Sequence, residues 1–136
     1  MLGRSVAPSW AALLALVPLL IAGCGSDSGA SETASLASPA VFAERMDAPG
    51  VVTINVHTPD EGSIPGTDVD VPFDRIATST EIPDDVDTPL AVYCRSGNMS
   101  ADAVEDLEAM GYTDIMELDG GFDAWQSSGR DLELAR

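Results

Sequence analysis

The chain has no lysine, one histidine and only two cysteines among its 136 residues. Its six basic residues are all arginines, against 23 acidic residues, and the formal net charge is −17. A negative field of this size repels nucleic-acid phosphates and anionic lipid headgroups, so we expect neither as a direct partner. A single histidine and so few thiols cannot supply the three or four nitrogen and sulfur ligands of a usual metal site. We therefore expect no metal and no cofactor.

The N-terminus carries one charge, Arg4, followed by an uncharged apolar run over 11–22. This run is shorter than the roughly 20 residues that a membrane-spanning helix needs, and it is typical of a secretory signal peptide. It ends in Ile21-Ala22-Gly23-Cys24, which resembles a bacterial lipobox. We predict that 1–23 is a signal peptide and that Cys24 is lipidated, which anchors the protein to the outer face of the cell membrane. The alternative is an ordinary signal peptide with an incidental Cys24.

Residues 24–37 are mostly Gly, Ser, Ala and Thr and have little to bury, so we predict a flexible tether. Residues 38–136 then form one domain with a modest core. If Cys24 is lipidated, Cys94 is the only remaining thiol and has no disulfide partner within the chain. A free thiol outside the cytosol is a liability unless it is buried or used.

Apolar, strand-like runs alternate with stretches of helical periodicity along the domain. We predict strands at 51–56, 69–71, 90–93 and 115–118, and helices at 39–48, 99–110 and 122–126, with a single helical turn at 72–76. Gly111 is placed to end the second helix. Alternating strands and helices predict an α/β layer with a parallel sheet.

Cys94 follows a predicted strand directly and precedes the turn 95–98 and a helix N-terminus. Ligands bind to open α/β folds at this end of the strands. Inward-pointing N–H groups and the helix dipole stabilise a thiolate or a small anion there, and Gly97 lets the backbone curl. The alternative is a buried structural cysteine, because free cysteine is among the most buried residue types.

Three blocks of the sequence resemble the rhodanese family, in the family's order. The segment Cys94-Arg95-Ser96-Gly97-Asn98-Met99-Ser100 resembles its active-site loop, and Leu118-Asp119-Gly120-Gly121-Phe122-Asp123-Ala124-Trp125 resembles its C-terminal signature. The segment 55–61, followed by 64–67, resembles a shortened first signature. The resemblance covers about 38–132. It implies a rhodanese-like open, mainly parallel sheet flanked by helices on both faces.

The resemblance also implies a sulfurtransferase mechanism. The Cys94 thiolate would take a sulfane sulfur from thiosulfate or a polysulfide, and backbone N–H groups of the loop Arg95, Ser96, Gly97, Asn98, Met99 and Ser100 would stabilise the resulting persulfide. A thiol acceptor would then remove the sulfur. Arg95 either attracts an anionic donor or is a solvated surface residue. Ser100 either donates its hydroxyl to the sulfur or caps the helix.

The sequence departs from the family at several positions. Met99 stands where a basic residue often faces the donor, and Asn55 and His57 stand where the family usually has Asp and Arg. His57 is either a proton donor near the site or a hydrogen-bonded structural residue. These changes predict weak activity on dianionic thiosulfate. They also favour an alternative function, a non-catalytic rhodanese-like module that binds a partner or senses redox state at the cell surface. Phosphatases of related fold need an arginine where Ser100 stands, so phosphoryl chemistry is not expected.

Overall fold

The computed structural model describes residues 34–135. Five parallel strands form one sheet in the order β1-β5-β4-β2-β3. The strands are β1 (Ala34–Ala37), β2 (Val52–Asn55), β3 (Val69–Asp70), β4 (Leu90–Tyr93) and β5 (Ile115–Leu118). The helices are α1 (Pro39–Met46), α2 (Asn98–Met110) and α3 (Gly121–Ser127), with a 3-10 helix at Phe73–Thr78. The predicted α/β class with a parallel sheet is confirmed.

Helices cover both faces of the sheet. This is required because the central strand, β4, has apolar side chains on both of its faces. All four β4 residues are buried. Leu90 and Val92 pack in a cluster with residues of α2, whereas Ala91 and Tyr93 pack in a second cluster with residues of α1 and α3. Successive side chains of a strand point to opposite faces, so a short continuous apolar run is what a strand covered on both sides requires.

The ends of α2 are set by two glycines with positive φ. Gly97 precedes the helix at φ 108°, and Gly111 ends it at φ 104°. The Gly111 N–H donates to the carbonyl of Glu108 at 3.0 Å, and the Tyr112 N–H donates to that of Leu107 at 3.1 Å. These bonds satisfy carbonyls that the end of a helix leaves open, as predicted for Gly111.

The first strand lies within the segment predicted as a tether. Ala34–Ala37 pairs in parallel with β5, from Ala34 opposite Ile115 to Ala37 opposite Leu118. Of the four residues only Ala37 is buried, and Leu36 is 68% exposed. An edge strand held by backbone hydrogen bonds leaves little hydrophobic signal in the sequence, which is why composition alone suggested a flexible segment. The prediction is therefore corrected for these four residues, which belong to the sheet.

The predicted signal peptide, the lipidation site Cys24 and the rest of the tether lie outside the described residues. Between residues 34 and 135, no helix is both long enough and apolar enough to cross a bilayer.

Tyr93, the residue before Cys94, ties β4 to a loop on the same side of the sheet. Its hydroxyl accepts the Ile64 N–H at 2.9 Å and shares a hydrogen bond with Thr67 Oγ1 at 2.7 Å. Its ring packs edge-on against Phe42, with centroids 6.1 Å apart. Burial raises the pKa of Tyr93 to about 12. The Tyr93 side chain thus fixes the backbone leading into Cys94 from the face of the sheet that α1 and α3 cover.

Candidate active site

Cys94 lies at the carboxyl end of β4, where the chain leaves the sheet and turns into α2. Its side chain is buried, with 1% of its surface exposed. Asn55 and Leu118 end the neighbouring strands β2 and β5 at the same edge. This edge is where parallel α/β sheets bind ligands, as the sequence predicted.

The sulfur of Cys94 contacts two groups of the loop that follows it. The Gly97 N–H donates to Cys94 Sγ at 3.0 Å, and the thiol lies 3.4 Å from Ser100 Oγ, to which it donates. Ser100 is fully buried in the first turn of α2. The sulfur is therefore contacted by a hydroxyl from the first turn of α2 and by the Gly97 amide from the loop. The Gly97 N–H stabilises negative charge on the sulfur, whereas Ser100 Oγ accepts the hydrogen of the thiol.

The N-terminus of α3 supports the loop from the other side. The Phe122 N–H donates to the Cys94 carbonyl at 2.9 Å, and the Asp123 N–H donates to the Arg95 carbonyl at 3.0 Å. Gly121 lies at φ +58°, and a Cβ there would be 2.4 Å from the carbonyl oxygen of Cys94. Gly121 is therefore a close-packing requirement, because its missing side chain lets the end of the helix approach the backbone of the loop. With both carbonyls engaged by α3, the Cys94 and Arg95 peptide units are fixed.

Glu117 is a site residue that the sequence analysis missed. It lies on β5 with only 8% of its surface exposed, and Ser100 Oγ donates to Glu117 Oε1 at 2.6 Å. Burial raises the pKa of Glu117, the nearby charge of Asp119 acts in the same direction, and the Ser100 hydrogen bond opposes them. The signal in the sequence is an acidic residue in an apolar strand, two positions after the buried Ile115.

Arg95, the residue after Cys94, is held by the carboxylates of Glu61 and Asp123. Its guanidinium lies 3.2 Å from both carboxylate oxygens of Glu61 and 3.4 Å from Asp123 Oδ2. The pKa of Arg95 is raised, chiefly by the charge of Glu61 and then by that of Asp123. The side chain is half exposed, but its charge is paired with two carboxylates. Arg95 is therefore neither a free anion-binding group nor an isolated surface arginine.

Asn55 and His57 shape the loop beside the site. Asn55 Nδ2 donates to the Gly62 carbonyl at 3.2 Å, and Asn55 Oδ1 accepts the His57 N–H at 3.1 Å. His57 Nε2 lies 2.5 Å from Glu61 Oε2, and its ring packs edge-on against Phe122 at 5.4 Å. The hydrogen bond to His57 is the main cause that lowers the pKa of Glu61. Both residues therefore position Glu61, which in turn holds Arg95.

The remaining loop residues differ in how far their side chains are exposed. Ser96 and Asn98 are exposed, whereas Met99 is half buried and packs against the core cluster on the α2 face of the sheet. Of the predicted site residues, Gly97 and Ser100 contact the sulfur of Cys94. The structure places Arg95, Asn55 and His57 in a separate network of polar groups that meets at Glu61.

Comparison with known proteins defines the class. Residues 38–128 match the rhodanese-like domain, and the chain belongs to this family. It is similar to two solved structures. One is a rhodanese-related protein from Thermoplasma volcanium, at 28% identity and a TM-score of 0.61 over 73% of this chain and 97% of that one. The other is a rhodanese-like domain protein from Staphylococcus aureus, at 25% identity and a TM-score of 0.61 over 75% of this chain and 99% of that one.

A curated relative adds a more specific but partial likeness. Over 44 residues the chain is 46% identical to the thiosulfate sulfurtransferase GlpE of Pseudomonas fluorescens. The match covers 32% of this chain and 40% of the length of that relative.

Proposed function

We propose that the protein is a sulfurtransferase that carries a sulfane sulfur as a persulfide on Cys94. The observation that supports this most directly is the contact of Cys94 Sγ with the Gly97 amide at 3.0 Å, within a loop clamped by α3. A sulfur held by a backbone N–H at the N-terminus of a helix is a stabilised nucleophile. Membership of the rhodanese-like family and the partial likeness to a thiosulfate sulfurtransferase support the same chemistry.

The reaction has two displacement steps. The Cys94 thiolate attacks the outer sulfur of the donor, a bond forms between the two sulfurs, and the donor's own S–S bond breaks. With thiosulfate, sulfite leaves with the electron pair and Cys94 becomes a persulfide anion. A thiolate acceptor then attacks the terminal sulfur, the bond to Cys94 breaks, and the Cys94 thiolate is regenerated.

The charges around Cys94 favour uncharged sulfane donors over thiosulfate. Arg95, the cation nearest in sequence to Cys94, is paired with Glu61 and Asp123, and Met99 brings no charge to the loop. The chain as a whole carries a net charge of −17, which repels a dianion. We therefore expect an uncharged organic trisulfide to load Cys94 faster than thiosulfate does.

Intact mass spectrometry tests the proposal. The full chain with Cys24→Ser, in which Cys94 is the single thiol, would be reduced and treated with thiosulfate or with polysulfide. We expect a gain of one sulfur, about 32 Da, that disappears on addition of cyanide. The variant that also carries Cys94→Ser should gain nothing. If folded, reduced protein gains no sulfur from either donor, the proposal fails and the binding or redox-sensing module becomes the better interpretation.

We also propose that Cys24 anchors the protein to the outer face of the cell membrane through a lipid. The proposal rests on the Ile21-Ala22-Gly23-Cys24 sequence that follows the apolar run. Cells producing the wild-type chain should incorporate labelled palmitate into it, and Cys24→Ala should abolish the label. A wild-type chain without label, or equal labelling of the two chains, would contradict the anchor.

A further inference from the structure

A row of three buried polar groups runs inward from the sulfur of Cys94. The thiol donates to Ser100 Oγ at 3.4 Å, and Ser100 Oγ lies 2.6 Å from Glu117 Oε1. The exposed fractions are 1% for Cys94, 0% for Ser100 and 8% for Glu117. A thiol, a hydroxyl and a carboxyl thus follow one another across the interior, and Glu117 has no part in the displacement steps given above.

The directions of these hydrogen bonds follow from the single proton of a hydroxyl group. Ser100 Oγ has two acceptors within reach, Glu117 Oε1 at 2.6 Å and the Gly97 carbonyl at 3.1 Å. An ionised carboxylate is the stronger acceptor and is also the closer one, so the hydroxyl donates to Glu117. A lone pair of Ser100 is then free to accept the proton of the Cys94 thiol. The three groups form a continuous path from the sulfur to the carboxylate.

The surroundings of Glu117 favour its taking up a proton. In the sheet it is level with Leu36 of β1 and Val92 of β4, and α2 contributes the uncharged Ser100. The charged group that acts on it is the carboxylate of Asp119, which lies just after the end of β5. Burial and the charge of Asp119 both raise the pKa of Glu117, against the opposing hydrogen bond from Ser100.

We propose that Glu117 is a positioning residue that receives the thiol proton of Cys94 through the hydroxyl of Ser100. As the S–H bond breaks, its proton passes to Ser100 Oγ and the Ser100 proton passes to Glu117 Oε1, while the electron pair stays on the sulfur. The net charge of the buried site does not change, so the thiolate forms without adding a second negative charge beside a carboxylate. This inference rests on the proposed function, since it supplies the nucleophile of the first step.

The rate of alkylation of Cys94 as a function of pH tests the inference without any sulfur donor. The full chain with Cys24→Ser would be treated with iodoacetamide across a range of pH. Between the titration of the carboxyl and that of the thiol, internal proton transfer sets the thiolate fraction, which then does not vary with pH. In a plot of the logarithm of the alkylation rate against pH, we expect a shoulder in which the rate does not change with pH. The final rise of the rate then follows at higher pH.

Two variants and one control make the test specific. Glu117→Gln should abolish the shoulder, so that the alkylation rate falls tenfold for each unit by which the pH is lowered. Ser100→Ala should lower the shoulder by about tenfold, since the thiolate loses its donor. Glu105→Gln makes the same substitution on the exposed face of α2 and should keep the wild-type profile.

A shoulder that persists in Glu117→Gln would overturn the inference, and so would a wild-type profile in Ser100→Ala. If Glu117→Gln does not fold, Ser100→Ala decides alone. Because alkylation needs no sulfur donor, this result is independent of the mass measurement. A protein with the shoulder that never gains sulfur would contradict the sulfurtransferase and leave the proton path standing.

Discussion

Gly121→Ala is expected to lower the free energy of unfolding by about 3 kcal/mol or more and to reduce sulfur loading of Cys94 at least tenfold. The added Cβ would lie 2.4 Å from the Cys94 carbonyl oxygen and from the carbonyl carbon and oxygen of Arg95. All three are backbone atoms, so no side chain can rotate to relieve the contact. The N-terminus of α3 must move away, and the hydrogen bonds from Phe122 and Asp123 that fix the loop are lost. Urea denaturation and the mass gain measure the two effects.

Gly50→Ala is the matched control for this substitution. Gly50 also has a positive φ, +80°, but a Cβ there meets nothing within 4 Å. It carries only the backbone cost of the left-handed conformation, about 1 kcal/mol, and it lies far along the chain from the loop. Sulfur loading should be unaffected. If the two variants lose the same stability and both load sulfur normally, the close approach of α3 is not what holds the loop.

Tyr93→Phe is expected to lower the free energy of unfolding by about 1–3 kcal/mol at neutral pH. The substitution preserves the ring that packs on Phe42 but removes the acceptor of the buried Ile64 N–H, which is left without a partner. Tyr112→Phe is the matched control, because its hydroxyl donates to the carbonyl of Pro83, which is partly exposed and has access to water. Urea denaturation of the two variants and the wild type compares these costs. Equal losses would show that the Tyr93 hydroxyl has no special role.

The same tyrosine predicts a loss of stability in alkali. Its pKa is about 12 in the folded chain and 10 in the unfolded chain, so its contribution is fully present below pH 10. As the pH rises from 10 to 12, the unfolded chain gives up this proton while the folded chain keeps it. Stability then falls by about 2–3 kcal/mol. Tyr93→Phe should lack this part of the loss, and Tyr112→Phe should retain it. An identical alkaline loss in Tyr93→Phe and the wild type would contradict the assignment.

Most of the fold could be predicted from the sequence because its signals are local. The strands at 90–93 and 115–118 are observed with the predicted bounds, since each is a short, mainly apolar stretch next to turn residues. The helix that follows Cys94 was recognisable from its spacing and from the glycine that ends it. The edge strand β1 was not, because backbone pairing at the rim of a sheet does not require apolar side chains.

The chemistry of the site could be predicted only in part. Cys94 and its loop are contiguous, so the motif was visible. Glu117 lies 17 positions from Ser100, and Arg95 lies 34 positions from Glu61. Such partners are brought together by the topology of the sheet, and no local pattern announces them. Arg95 beside Cys94 therefore suggested either anion attraction or a solvated surface residue, whereas the fold pairs it with the carboxylates of Glu61 and Asp123.

The polarity of the sheet has a consequence for how the protein faces its surroundings. All five strands run the same way, so the chain enters the sheet at Ala34, on the edge opposite the one where Cys94 follows β4. Four residues of strand separate the two edges by about 13 Å. A chain that comes from the anchor proposed at Cys24 would therefore reach the domain at the end of the strands opposite Cys94, and the sulfur would lie on the side away from the point of attachment.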